Sequence, residues 1–234
     1  MQPSKNVNTR ETDKFSALAT TWWDPTGPMH TLHEVNPLRT GFIARSCELQ
    51  GRSVIDIGCG AGVLAESLTR LGAHVTGVDL SEKLLTIARA HAQQQGLNVD
   101  YRFISAEQLA EQQPGAFDVV TCLEVLEHVP RPDELVATSG RLLRPGGHAF
   151  FATIDRNLKA FLFVIFGAEY VLRLLPMGTH NYRGFIRPGE LIAWGKNCGM
   201  EFSDCTYVVY NLLSRKFSLT DRRDDVYLMH LKKK

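Results

Sequence analysis

Three residues near the middle of the chain, Glu124, Glu127 and His128, carry the side chains best suited to chemistry. On a helix, positions i, i+3 and i+4 point together, so two carboxylates and an imidazole would share one face. Such a set can bind a divalent cation: the hard oxygens favour Mg2+, and the imidazole leaves room for zinc. His128 alone can instead serve as a general base, since an imidazole ordinarily titrates near neutrality. A solvated helix face without function would show the same spacing. Position favours chemistry, because Phe117-Asp118-Val119-Val120-Thr121-Cys122 reads as a buried strand just before them. In open parallel sheets, ligands gather beyond the carboxyl ends of strands.

A second constellation precedes this one. Val54-Ile55-Asp56-Ile57-Gly58-Cys59-Gly60-Ala61-Gly62 passes from a β-branched run through glycines into the helical pattern that starts at Val63. Glycines let the backbone turn sharply and bring the free N–H groups of a helix start close to a ligand. The next strand, His74-Val75-Thr76-Gly77-Val78-Asp79, ends in an acid at the place where nucleotide-binding folds keep a carboxylate for the ribose hydroxyls. Asp79 is the candidate for that role. Its alternative is to cap the helix expected over residues 82–95, for which Ser81 is also available. The dinucleotide fingerprint requires a glycine where this chain has Val63, so the loop suits a ligand without a pyrophosphate better than NAD. Ser105, Ala106 and Glu107 follow a third strand and are either adenine contacts or a plain loop. Arg39 is either a solvated helix residue or a fork for a carboxylate. Trp22 and Trp23 are either a packing anchor or an aromatic wall over a ligand.

The elements that must position these residues alternate as strand and helix from residue 54 to residue 153, which predicts a parallel sheet with helices on both faces. A helical region, residues 1–50, comes first, and residues 51–234 form the main domain. The rhythm stops over about 155–187, where an apolar stretch at 160–175 is interrupted by Glu169 and Arg173, too early to span a bilayer. That stretch can pack on the core, cover a hydrophobic substrate, or lie in a membrane interface. Strands over 202–210 and 226–231 are expected as a hairpin-like pair at the sheet edge, joined by a long connection over 211–225. With 44% hydrophobic residues, 22% charged residues and a net charge of +1, the composition is that of a globular protein and gives no basic surface for nucleic acid. Five scattered cysteines without a C-x-x-C pair argue against a disulfide framework or a structural zinc site. With a polar N-terminus, they point to a cytoplasmic protein.

Together, the glycine loop, Asp79, Leu123-Glu124 and the Pro145-Gly146-Gly147 turn resemble the class I methyltransferases that use S-adenosylmethionine. Further segments narrow the resemblance: Thr21-Trp22-Trp23-Asp24, Asn36-Pro37-Leu38-Arg39, Asp56-Ile57-Gly58-Cys59-Gly60, Glu124-Val125-Leu126-Glu127-His128-Val129 and Gly167-Ala168-Glu169-Tyr170. Over almost the whole length these are similar to the O-methyltransferases of ubiquinone biosynthesis. The resemblance implies a Rossmann-like, mostly parallel seven-stranded sheet with an antiparallel last strand. It implies methylation of hydroxyls on a polyprenylated phenol or catechol at two stages of that pathway. By the same resemblance Arg39, Gly58, Gly60, Asp79 and Leu123 contact the cofactor, while Glu124, Glu127 and His128 match metal ligands described for some members. Leu123 stands where members commonly carry methionine, which keeps an apolar neighbour for the adenine. A lipid-dissolved substrate implies peripheral association with the inner face of the membrane and partners in a ubiquinone-biosynthesis complex. The competing expectations are a methyltransferase for another small phenol, a non-catalytic cofactor-binding or lipid-binding subunit, and a nicotinamide oxidoreductase.

Overall fold

The computed structural model describes residues 6–156 and 184–234, and the apolar stretch at 160–175 lies outside them. Strands β1 (Ser53–Ile57), β2 (His74–Asp79), β3 (Asp100–Phe103), β4 (Phe117–Leu123) and β5 (Leu143–Ile154) are joined by helices α3 (Val63–Arg70), α4 (Glu82–Gln94), α5 (Ala106–Gln112) and α6 (Pro132–Leu142). Helices α1 (Thr9–Ala17) and α2 (His30–Ser46) precede them, and α7 (Pro188–Asn197), β6 (Met200–Asn211), β7 (Lys216–Thr220) and β8 (Val226–Lys233) follow. The sheet order is β3-β2-β1-β4-β5-β8-β6-β7, parallel from β3 to β5, with β8 antiparallel to both β5 and β6.

Alternation along the strands builds two cores. Ile55, Ile57, Val120, Phe151 and Met229 meet α5, α6 and α7 on one face, while Val54, Val119, Phe150 and Leu228 meet α2, α3 and α4 on the other. Because helices cover both faces, β4 is buried along its length to Cys122, as its unbroken apolar run predicted. The chain moves outward from β1 to β3 and then returns to β4 on the other side of β1. The loops after β1 and β4 therefore diverge and leave a crevice, and this fixes where a ligand can enter.

Two expectations at the C-terminus need correction. The sheet has eight strands instead of seven, because the segment read as a long connection contains β7. The pair formed by β6 and β8 is antiparallel as expected, but β8 lies inside the sheet between β5 and β6, and β7 takes the edge. Sequence order alone does not reveal that a final strand inserts between earlier ones; its buried run Tyr227 to Leu231 requires cover on two sides.

Candidate cofactor and acceptor site

A cavity of about 990 Å³ opens at the carboxyl ends of β1, β2, β4 and β5, and every residue expected to contact a cofactor except Glu127 of the metal set lines it: Arg39, Gly58, Gly60, Asp79, Leu123, Glu124 and His128. The glycine loop explains itself here. Gly58 and Gly60 have φ of 69° and 55°, a region L side chains rarely adopt. A Cβ at Gly58 would lie 2.5 Å from Val125, and one at Gly60 would lie 2.8 Å from the Trp22 ring. The Gly60 N–H donates to Asp79 Oδ2 at 2.9 Å and the Ser81 N–H to Asp79 Oδ1 at 2.8 Å. Asp79 thus fastens the loop after β1 to the loop after β2. Ser81, not Asp79, caps α4 by accepting from the Leu84 N–H.

Burial raises the pKa of Asp79 against these backbone donors. Burial also pushes Asp56 up to about 7, opposed by the Thr121 hydroxyl that donates to it at 2.7 Å, with Asp79 raising it further and Arg39 lowering it. Asp56 was visible only as part of the loop motif, yet it is a buried carboxyl on the cavity wall.

Arg39 is itself buried, and its guanidinium donates to Glu124 Oε1 at 2.7 Å. Its Nε and the Trp22 Nε1 have no hydrogen-bond partner, an expensive condition for buried donors beside a cavity. A ligand with carboxylate and hydroxyl acceptors would satisfy such donors. Both readings of the tryptophan pair are realised: Trp22 is a wall of the cavity, whereas Trp23 stacks on His91 at 3.5 Å and donates from Nε1 to the Ala61 carbonyl.

The acidic and imidazole set is arranged differently from the expected helix face. Glu124 leaves β4 with φ of 57°, a left-handed turn for a non-glycine residue, and only Leu126–His128 form a single 3-10 turn. Strain of this kind costs on the order of 1–3 kcal/mol and here aims the Glu124 carboxylate at Arg39. Glu127 accepts from the Thr153 hydroxyl at 2.8 Å, and burial followed by the nearby Glu124 holds its carboxyl well above the usual range. His128 turns instead to Glu11 on α1, with Nδ1 2.9 Å from Oε2, and the Phe15 ring meets it edge-on at 5.1 Å. Glu124 and Glu127 are neighbours, but His128 is not directed to them, and no group of three metal-ligating side chains forms among the described residues. This arrangement does not fit a divalent cation held by all three.

The N-terminal segment supplies what the sequence did not signal. Asn6 makes two hydrogen bonds to the Arg131 backbone, donating to its carbonyl at 2.9 Å and accepting its N–H at 2.8 Å. Ser16 meets Ser81 at 2.6 Å. With Glu11 on His128 and Trp22 on Gly60, the segment straps the cavity from the β4 loop to the β2 loop. Ser105 caps α5 through a capping box, and Ser105, Ala106 and Glu107 all lie on the cavity wall.

An open sheet with its switch point at β1 and β4, a glycine cradle, a carboxylate after β2 and an apolar residue after β4 are the features of the class I methyltransferase fold. A family model described as a methyltransferase domain matches residues 55–151. Magnesium protoporphyrin IX methyltransferase from Synechocystis, solved with bound S-adenosylhomocysteine, shares the fold with a TM-score of 0.71 over 97% of this chain and 99% of that one, at 18% identity. A [4+2]-cyclase shares it too, with a TM-score of 0.63 over 85% of this chain and 81% of that one, at 18% identity, so the fold by itself leaves the reaction open. Ubiquinone biosynthesis O-methyltransferase of Aromatoleum aromaticum is 51% identical over 97% of each chain. The proteins of that name from Pseudomonas aeruginosa and Bordetella bronchiseptica are 49% and 50% identical, over 97% and 99% of this chain and 98% and 96% of theirs. The chain belongs to the ubiquinone biosynthesis O-methyltransferases, and it is an S-adenosylmethionine-dependent O-methyltransferase.

Proposed function

We propose that the chain methylates hydroxyls of a phenol or catechol that carries a polyprenyl tail, at both O-methylation steps of ubiquinone biosynthesis, with His128 receiving the hydroxyl proton. The observation that supports this most is that the glycine cradle and the His128–Glu11 pair line one cavity, whose far wall is built from apolar residues of β6 and β7. A cofactor and an apolar acceptor can therefore meet without bulk water between them.

Bound S-adenosylmethionine supplies a sulfonium methyl, which already carries a good leaving group. The chain's own task is to hold the acceptor oxygen in line and to remove its proton. In this reading the loop of Gly58 and Gly60, with Asp79, holds the nucleoside part, Leu123 and Val125 give it an apolar bed, and Arg39 takes the amino-acid carboxylate. A phenol titrates near 10, so at neutral pH its oxygen keeps its proton until a base takes it. His128 Nδ1 lies 2.9 Å from Glu11 Oε2, so in this reading Nδ1 carries the proton that faces Glu11 and Nε2 carries the basic lone pair. The hydroxyl proton passes to Nε2 as the oxygen attacks, and Glu11 stabilises the resulting imidazolium. No step uses a metal, since His128 would have to leave Glu11 to join Glu124 and Glu127. The same reading makes the protein peripheral to the membrane that dissolves its substrate, beside other proteins of the pathway.

Single-turnover kinetics with a polyprenylated catechol, run beside calorimetric cofactor titration, test the assignment. His128→Ala is expected to slow methyl transfer at least ~100-fold, within the range for loss of a general base, with cofactor affinity changed less than about twofold. An unchanged rate removes His128 from the mechanism. Activity that disappears with a chelator and returns with Mg2+ would reassign Glu124, Glu127 and His128 to a metal.

A further inference from the structure

β6 pairs with β8 only up to Val208 opposite Val226, but with β7 it continues to Asn211 opposite Lys216. β6 runs in the same direction as β5, because β8 is antiparallel to both, so these last residues project as a two-stranded ribbon past the sheet on the cavity side. Its tip is an ordered turn. Asn211 Oδ1 accepts from the Leu213 and Ser214 N–H groups at 2.9 and 3.0 Å, and the Arg215 N–H closes onto the Asn211 carbonyl at 2.8 Å. Tyr210 and Phe217 pack across the ribbon with ring centroids 4.9 Å apart.

The turn chemistry is met by Asn211 and by Arg215 at φ of 53°, so nothing in the backbone calls for leucines between them. Leu213 is nevertheless 98% exposed, Leu212 73% and Tyr210 40%. These are three of the six large exposed hydrophobic residues among those described, gathered in four positions. Arg215 and Lys216 follow after Ser214, and residues 205–220 contain no acid. Leu212, Tyr210 and Phe217 also line the cavity, so one apolar surface runs from the site to the tip.

We propose that this ribbon is a membrane finger: Leu212 and Leu213 enter the acyl boundary of an anionic phospholipid bilayer while Arg215 and Lys216 meet its phosphates. An apolar tip with adjacent cations has the chemistry of an interfacial anchor, and the cations choose a lipid surface over an apolar protein partner. The finger sets the cavity mouth against the bilayer, and a polyprenyl tail passes from acyl chains to the cavity along Leu212, Tyr210 and Phe217. The inference rests on the reading above that the substrate carries such a tail.

Co-sedimentation of the full chain with phosphatidylcholine vesicles, with and without phosphatidylglycerol, tests it. Leu213→Ser, outside the cavity wall, is expected to weaken partition about tenfold and to leave turnover of a water-soluble short-chain catechol as it was. Arg215→Gln with Lys216→Gln is expected to reduce the preference for phosphatidylglycerol by about fivefold per charge. Partition of Leu213→Ser equal to that of the parent overturns the proposal. So does parental partition combined with loss of a dimer in sedimentation velocity, which would make the tip a contact between copies. If the parent binds vesicles through Leu213 but methylates no catechol, the finger stands and the assigned reaction falls.

Discussion

The two ends of the one sheet treat polar groups in opposite ways. At the amino end of β4, Asp118 accepts from Arg52 at 3.2 Å and from the Ser53 N–H at 2.9 Å and forms an ion pair with Arg144 at 3.0 Å. Nearby, His148 and His230 face each other at 2.9 Å, and burial drives His230 down to about 4, so the pair is neutral at physiological pH. That end is electrostatically closed. At the carboxyl end, Arg39 Nε, Trp22 Nε1 and Glu127 Oε1 are buried without partners, Glu124 holds a left-handed backbone, and Asp56 and Glu127 are raised. The difference shows where folding free energy was conserved and where it was given up to keep recognition groups available.

Substitutions should separate the two ends. The largest effect after His128→Ala is expected from Arg39→Met, which removes the carboxylate fork and leaves the half-buried Glu124 without its cation. Cofactor affinity should fall about 30-fold to 100-fold by calorimetry, in line with loss of a charge-assisted hydrogen bond. At the amino end, Asp118→Ala should behave in reverse. It should cost about 1–3 kcal/mol in denaturant unfolding because the Ser53 N–H loses its acceptor, while kcat and cofactor affinity stay within about twofold. Loss of affinity in that variant would dissolve the contrast.

Asp56 gives a smaller, pH-dependent effect. Burial pushes its folded pKa up to about 7, above the ordinary carboxylate range, so the folded state binds the extra proton. Its contribution to stability is complete below about 4 and is lost as pH rises towards 7, by about 1.4 kcal/mol per pH unit. Asp56→Asn should flatten the apo protein's unfolding free energy between pH 5 and 7, and an unchanged slope would show that Asp56 is ionised throughout. The smallest effect is expected from Trp23→Leu, which removes the stack on His91 and the bond to Ala61 while Trp23 itself does not line the cavity. Unfolding should become easier by about 1–3 kcal/mol with kcat nearly unchanged.

Local sequence determined the parts of this protein that depend on local physics. A β-branched run followed by Gly58 and Gly60 reads as a strand and a turn whose glycines permit positive φ, and the distance from that loop to Asp79 follows from one helix and one strand. The parallel layers and the buried β4 follow from alternation in the same way. Tertiary structure decided the rest. The spacing of Glu124, Glu127 and His128 suggested a helix face, but packing placed Glu124 in a left-handed turn and sent His128 to Glu11, a partner more than a hundred residues away. No periodicity encodes such a pairing, nor Asn6 on Arg131, nor the insertion of β8 between β5 and β6. Those contacts depend on how complete elements bury their surfaces against one another, and that is settled only when the whole chain is folded.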